Sequence, residues 1–238
     1  MCRIVLFACV LTSMQGYTQL PEGYTDVREH YVGIRLVEKL GKFGLYDEAG
    51  KELILPATYD EIGPVGVVVR SGSIVRLGDQ IGLIWDFGEV MLPPAYDQIE
   101  PTHPDLNMLL FVKQNGKTGI YDADNMRMVL RPDYDEILPY ASVIPKHFIL
   151  VKKGLYGTWL PEEGLTIPTK YTRLESRMVY DYPVILAWKG EKVGALHSWG
   201  KIMIPIAYDA IEWNEKSGFF ECRKGMKIER YDADGVKK

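Results

Sequence analysis

Apolar residues along this chain gather in short blocks separated by polar, glycine-rich stretches, and nowhere do they follow a helical rhythm over a useful length. The blocks are Ile34 to Val37, Val67-Val68-Val69, Leu109 to Val112, Phe148 to Val151, Val184 to Ala187 and Phe219 to Cys222. Each has the length of a strand with both faces covered. Between them the pattern is weaker but regular. Gly44 to Asp47 predicts a strand, and Asp47-Glu48-Ala49-Gly50 a turn with glycine at the position needing positive φ. Glu52 to Leu55 predicts the returning strand, which Pro56 should end because proline has no N–H to give the ladder. Tyr59 to Ile62 begins a third strand, and the apolar block closes the unit as a fourth. The expectation is therefore all-β, with four short strands per unit and tight turns between them.

The same order of residues returns along the chain. Gly44, Gly82, Gly119, Gly157 and Gly194 are separated by 38, 37, 38 and 37 residues. Tyr59, Tyr96, Tyr134, Tyr171 and Tyr208 are separated by 37, 38, 37 and 37. A fixed period of this size is the signature of a repeat architecture. The units run 41–77, 78–115, 116–153, 154–189 and 190–224, and Asn125 stands where the second glycine of the third unit is expected. Residues 20–40 match the second half of a unit and 225–238 the first half, so together they are expected to complete a sixth, split unit.

The recurring residues, aromatic-Gly, Asp, Gly and Pro-x-x-Tyr-Asp-x-Ile, resemble the WG-repeat family of bacterial proteins. The resemblance runs from about Pro21 onward and departs at the name-giving Trp, whose place is taken by Phe43, Ile81, Thr118, Tyr156 and Val193. It implies an all-β repeat domain without a known shared catalytic activity. Two architectures stack such units, a closed propeller and a capped open solenoid. The split unit favours a six-bladed propeller-like ring, with the open β-solenoid as the alternative.

Charge and cysteines bear on address and partners. The formal net charge is −4, which gives no sequence-independent grip on a phosphate backbone and argues against nucleic acid as a partner. Met1-Cys2-Arg3, the apolar run Ile4 to Met14 and a polar stretch read as a secretory signal over residues 1–18, with Gln19 as the mature N-terminus. Residues 19–238 then form one repeat domain in an exported, periplasmic or extracellular protein with no transmembrane segment. A lipid anchor at Cys9 is not expected, since few apolar residues precede it. Once the signal is removed, Cys222 is the remaining thiol, expected to pack inward from a strand.

Most polar residues with catalytic potential sit at repeat positions. Tyr59-Asp60, Tyr96-Asp97, Tyr134-Asp135 and Tyr208-Asp209 recur in equivalent places, so they are expected to serve the fold, the Asp in turns and the Tyr between units. Asp122-Ala123-Asp124-Asn125 and Asp232-Ala233-Asp234-Gly235 open like calcium loops, but Met126 and Arg127 stand where an oxygen ligand and glycine belong. His30, His103, His147 and His197 show no zinc spacing, and no phosphate loop or nucleophile elbow is present. No metal or cofactor is expected. Lys39, Lys152, Lys189 and Lys224 share one unit position, with Leu77 and Gln114 interrupting the set; strand-end protection and attraction of an anionic partner are both consistent with it.

Spacing from each Tyr to the next unit's Gly is uniformly 23 residues from Tyr59 to Gly194, so no extended loop carries grafted chemistry. Composition does vary there. His103 and Asp105, Tyr140, Arg177 with Tyr180 and Tyr182, and Trp213 with Glu215 are off-repeat and form the candidate recognition surface. The reading is an exported, non-catalytic scaffold that binds a protein or peptide. The alternative is a glycan-binding module of the cell envelope using Trp213, Tyr180 and Tyr182 as stacking platforms. An enzyme such as a glycoside hydrolase would need two carboxylates facing each other across a cleft.

Overall fold

The computed structural model describes residues 20–102, 108–139, 148–161 and 164–238. It divides into two compact units, the first ending at Pro94 and the second beginning at Ala95. All regular structure among the described residues is antiparallel β, in six sheets of three or four strands.

In the first unit, β1 (Thr25–Tyr31), β2 (Ile34–Lys39), β3 (Lys42–Asp47) and β4 (Glu52–Tyr59) form one sheet in sequence order. β5 (Glu61–Ile62), β6 (Gly72–Leu77), β7 (Gln80–Trp85) and β8 (Val90–Tyr96) form the next. Between these two sheets lies a core that includes Leu36, Leu45, Leu55, Tyr59, Ile62, Val75 and Ile84.

In the second unit, β9 (Gln98–Pro101), β10 (Leu109–Gln114), β11 (Lys117–Asp122) and β12 (Arg127–Tyr134) are followed by β13 (Glu136–Pro139), β14 (Phe148–Lys152), β15 (Leu155–Leu160) and β16 (Gly164–Tyr171). Then come β17 (Arg173–Val179), β18 (Tyr182–Lys189), β19 (Lys192–His197) and β20 (Ile202–Tyr208), and the three-stranded β21 (Ala210–Asn214), β22 (Phe219–Lys224) and β23 (Lys227–Tyr231). Cores again lie between successive sheets: Ile120 with Leu150, Ile167 with Ile185, and Leu186 with Phe220.

Hairpin chemistry explains why each sheet closes locally. Leu40-Gly41, Asn115-Gly116 and Lys153-Gly154 have positive φ at both residues, the type I′ pattern. Gly78, Gly190 and Gly225 alone are positive in their turns, the type II′ pattern. Both twist the chain as paired strands require. The repeat glycine has a different role, because the fourth strand crosses directly over it. A Cβ at Gly44 would lie 2.4 Å from the Leu55 carbonyl oxygen, and one at Gly119 2.4 Å from that of Leu130.

The recurring Tyr-Asp pair joins one sheet to the next. Tyr59, Tyr171 and Tyr208 pack in the cores between sheets. The following Asp carboxylate then holds both sides of the crossing. Asp60 accepts the Gly78 N–H at 2.8 Å, Asp135 the Lys153 N–H at 2.5 Å and Asp209 the Gly225 N–H at 2.6 Å, each at the first residue of the next sheet's central hairpin turn. Each also pairs with a lysine of the sheet just completed, Lys42, Lys117 or Lys192. These lysines, and secondarily the turn N–H groups, hold all three carboxyls below their usual range. The other lysine set is also engaged locally: Lys39, Lys152 and Lys189 lie over the rings of Tyr24, Tyr134 and Tyr171.

Four expectations are corrected. Pro56 does not end its strand; β4 continues through it to Tyr59, with the register shifting between Phe43 and Leu45. As the last strand of its sheet, β4 has an edge where a missing N–H breaks no ladder. Val67 to Val69 is not a strand but an irregular segment before β6, whose place is set by the close approach of Gly72 to Ile84. Gly50 and Asn125 do not take the positive φ in their turns; Lys51 and Met126 do, because those loops hold four residues, against three in the Gly88 and Gly200 loops. Finally, 20–40 and 225–238 do not make one shared sheet. β1 pairs with β2 and β2 with β3, each across a two-residue turn, and β23 pairs with β22. The sheets therefore change at Asp60, Asp97, Asp135, Thr172 and Asp209, not at the boundaries drawn from the repeat.

One buried histidine makes the first unit sensitive to acid. His30, on β1, has its Nε2 3.3 Å from Ser73 Oγ and no partner at Nδ1. Burial, reinforced by the Arg28 charge, lowers its pKa from 6.5 to about 4. The ring is thus neutral in the folded chain when its unfolded counterpart takes up a proton. Stability is full above pH 6.5 and declines as pH falls toward 4. The expected loss is about 1–2 kcal/mol, less than the whole shift implies because nearby solvent screens the ring. An NMR titration of the imidazole reads this directly, and a midpoint near 6.5 would refute it.

Candidate binding site

The off-repeat residues of the second unit are brought together on its last two sheets. β17 and β18 are joined by the two-residue turn Tyr180-Asp181, with Val179 opposite Tyr182. Tyr180 has φ 53°, an uncommon conformation for a bulky side chain and one that costs roughly 1–3 kcal/mol. Its ring is held outside, edge-on to Trp213 at 5.2 Å between centroids. The Tyr180 hydroxyl sits where a Cβ on Gly218 would come within 3.0 Å, so that glycine supplies both room and its own positive φ.

Trp213 is fixed by the turn that follows β21. The Asn214 side-chain oxygen accepts the N–H groups of Lys216 and Ser217 at 3.1 and 3.2 Å, and Gly218 N–H donates to the Asn214 carbonyl at 2.9 Å. On its inner side the indole packs against Phe220, 4.8 Å away between centroids.

Two clefts result. One, of about 420 Å³, is lined by Arg177, Glu212, Trp213 and Glu215, with Leu186 and Phe220 also contributing. The other, of about 280 Å³, is lined by Tyr180, Tyr182, His197, Trp199, Met203 and Asp234 among others. Tyr180 contributes to the second cleft and Trp213 to the first, so their ring contact links the two. Trp199 lies parallel to His197, with centroids 4.2 Å apart and planes within 6°, yet remains 56% exposed. Partial burial and Lys201 lower the His197 pKa, with Asp234 opposing.

Arg177, Trp213 and Glu215 thus meet at one cleft, and Tyr180 and Tyr182 at its neighbour. His103, Asp105 and Tyr140 lie outside the described residues. Sequence reading missed His197, Trp199, Glu212 and Asp234. The signal for the first two was available: His197 stands where Asp47 and Asp122 stand in other units, and Trp199 lies in its turn.

The sixth sheet departs from the repeat at the glycine position, which Glu229 occupies. Its carboxylate accepts the Tyr208 hydroxyl at 2.7 Å and pairs with Lys237 at 2.8 Å and Lys227 at 3.2 Å. Led by Lys237, these partners hold it at about 2. The Cys222 thiol is fully buried on β22, and burial first, then Glu229, pushes its pKa to about 12. Among the described residues no cluster of His, Cys, Asp and Glu could hold a metal, and no helix is long and apolar enough to cross a membrane.

No curated protein matches the chain. Solved structures to which it is similar include a eukaryotic initiation factor, with 11% identity over 90% of this chain and 63% of that one, TM-score 0.30. Others are the dihydro-heme d1 dehydrogenase NirN, with 10% identity over 84% and 52%, TM-score 0.31, and Hsv2 of Kluyveromyces lactis, with 7% over 88% and 73%, TM-score 0.29. The chain thus spans less than two thirds of the length of the first two. The family model described as WG containing repeat matches residues 43–65 and 81–117 of this chain.

Proposed function

We propose that this protein is an exported, non-catalytic binding scaffold that recognises a protein or peptide partner. The observation that carries this is the convergence of Arg177, Tyr180, Tyr182, Trp213 and Glu215, drawn from separate strands and turns, onto two adjoining clefts. Aromatic and arginine side chains on a fixed framework are what recognition surfaces concentrate. The recurrent Tyr and Asp residues, by contrast, are committed to joining sheets. The carboxylates of the larger cleft, Glu212 and Glu215, come from β21 and the turn after it, with Arg177 supplied by β17. That is a poor match to the paired carboxylates of a glycosidase, which flank the scissile bond.

Exposure of Tyr182, at 75%, and of Trp199 favours one second reading, a glycan-binding envelope module. A pull-down from envelope extract compared between the native protein and Trp213→Ala, run beside a glycan array, separates the two. Loss of a captured protein in the variant supports the scaffold, while array binding without capture supports the glycan module. Export is part of the proposal: the mature chain begins at Gln19, and mass spectrometry finding Met1 retained would overturn it. So is the arrangement of the six sheets as blades of a propeller-like ring, with the open β-solenoid as the alternative.

A further inference from the structure

We propose that the two clefts form one groove for an extended, proline-rich segment carrying a basic side chain, an inference that rests on the peptide-binding reading above. The smaller cleft is an aromatic trough. Tyr180, Tyr182 and Trp199 are 64%, 75% and 56% exposed, a concentration of ring surface beyond the scattered apolar residues any protein shows. Trp199 is held flat by the His197 ring beneath it, and Tyr180 is braced by Trp213 and Gly218, so these two rings are set before a ligand arrives. Little entropy remains to be lost on binding.

The chemistry of the trough selects its occupant. Apart from the two tyrosines, its uncharged lining includes Pro183, Val184, Trp199 and Met203, and His197, Ser198 and Asp234 add polar groups. A sugar ring, with hydroxyls all around it, would need more polar partners than these. A polyproline II segment has no internal hydrogen bonds and offers carbonyl acceptors to tyrosine hydroxyls and an indole N–H. Its proline rings stack on aromatic faces, as in other aromatic-lined grooves for such peptides.

Charge fixes the other end. The larger cleft carries Glu212 and Glu215 against the single cation Arg177, which is already 3.9 Å from Glu175. A lysine or arginine of the ligand complements this surplus. The clefts are linked through one pair of rings, Tyr180 and Trp213, 5.2 Å apart.

The test is a tryptophan-fluorescence titration with a synthetic peptide of sequence Pro-Pro-Leu-Pro-Pro-Arg. It is compared with versions in which the prolines are alanine or the arginine is glutamate, and with chitohexaose. The expected result is saturable binding of the parent peptide, weakened about tenfold by loss of the prolines and about fivefold by the charge change. Trp199→Ala should cost about tenfold, and Glu215→Lys should abolish the preference for arginine over glutamate. Both side chains are exposed, and Tyr182→Ala repeats the first measurement at a second ring. Equal binding of the parent and alanine peptides overturns the inference but leaves peptide recognition standing. Binding of chitohexaose with no binding of any peptide overturns both, and no binding by any probe overturns the inference.

Discussion

Gly119→Ala should destabilise the second unit by about 3 kcal/mol, a large part of a total that is about 5–15 kcal/mol for an ordinary domain. The new methyl would lie 2.4 Å from the Leu130 carbonyl oxygen and 2.7 Å from Pro132 N. Both are backbone atoms of β12, so no side chain can swing away to relieve the contact. Either β12 lifts from β11, exposing the core around Ile120, or the register shift beside Gly119 is lost. The control is Gly116→Ala in the preceding hairpin turn, where φ is 70° and nothing lies within 4 Å. There the cost is backbone strain alone, about 1–2 kcal/mol. Urea unfolding of the two variants separates the mechanisms. Equal losses would mean that conformational freedom, and not the crossing of the fourth strand, is why glycine recurs.

That glycine shows what the sequence made legible. Its period, in five copies, announced a series of similar sheets, and the recurrence of Tyr-Asp announced a structural role, because a residue needed in unit after unit is serving what the units share. The phase of the sheets was harder to see. Repeat units can be cut anywhere, and only the strand pairing shows that the chain changes sheet at Asp60 and its equivalents. Val67 to Val69 misled for a related reason: three β-branched residues have strand propensity, but the ladder is set by Gly72 and the Gly78 hairpin turn. At the candidate site, composition located Tyr180, Tyr182 and Trp213 because they break the repeat. Trp199 was missed although it breaks the repeat too, because it sits in a turn of ordinary length. The partnership of its ring with His197 is a matter of side-chain packing, which spacing does not encode.

Deleting residues 225–238 should have the second large effect, and it bears on the ring proposed above. The deletion removes β23, and with it Tyr231, whose ring meets Tyr208, and Glu229, which binds the Tyr208 hydroxyl. Phe220 and Cys222 lose a paired neighbour strand, since they lie opposite Tyr231 and Glu229. The thiol, inert while its pKa is about 12, should then react rapidly with a disulfide reagent. Tm should fall by several degrees, as expected for a loss of a few kcal/mol. The response far away is the informative part. In a ring, opening one sheet withdraws support from every other, so hydrogen exchange at residues 41–62 should accelerate. In a solenoid, nearest-neighbour stacking confines the damage to the last sheets. A reactive Cys222 with unchanged protection at 41–62 would therefore sink the ring and leave the rod.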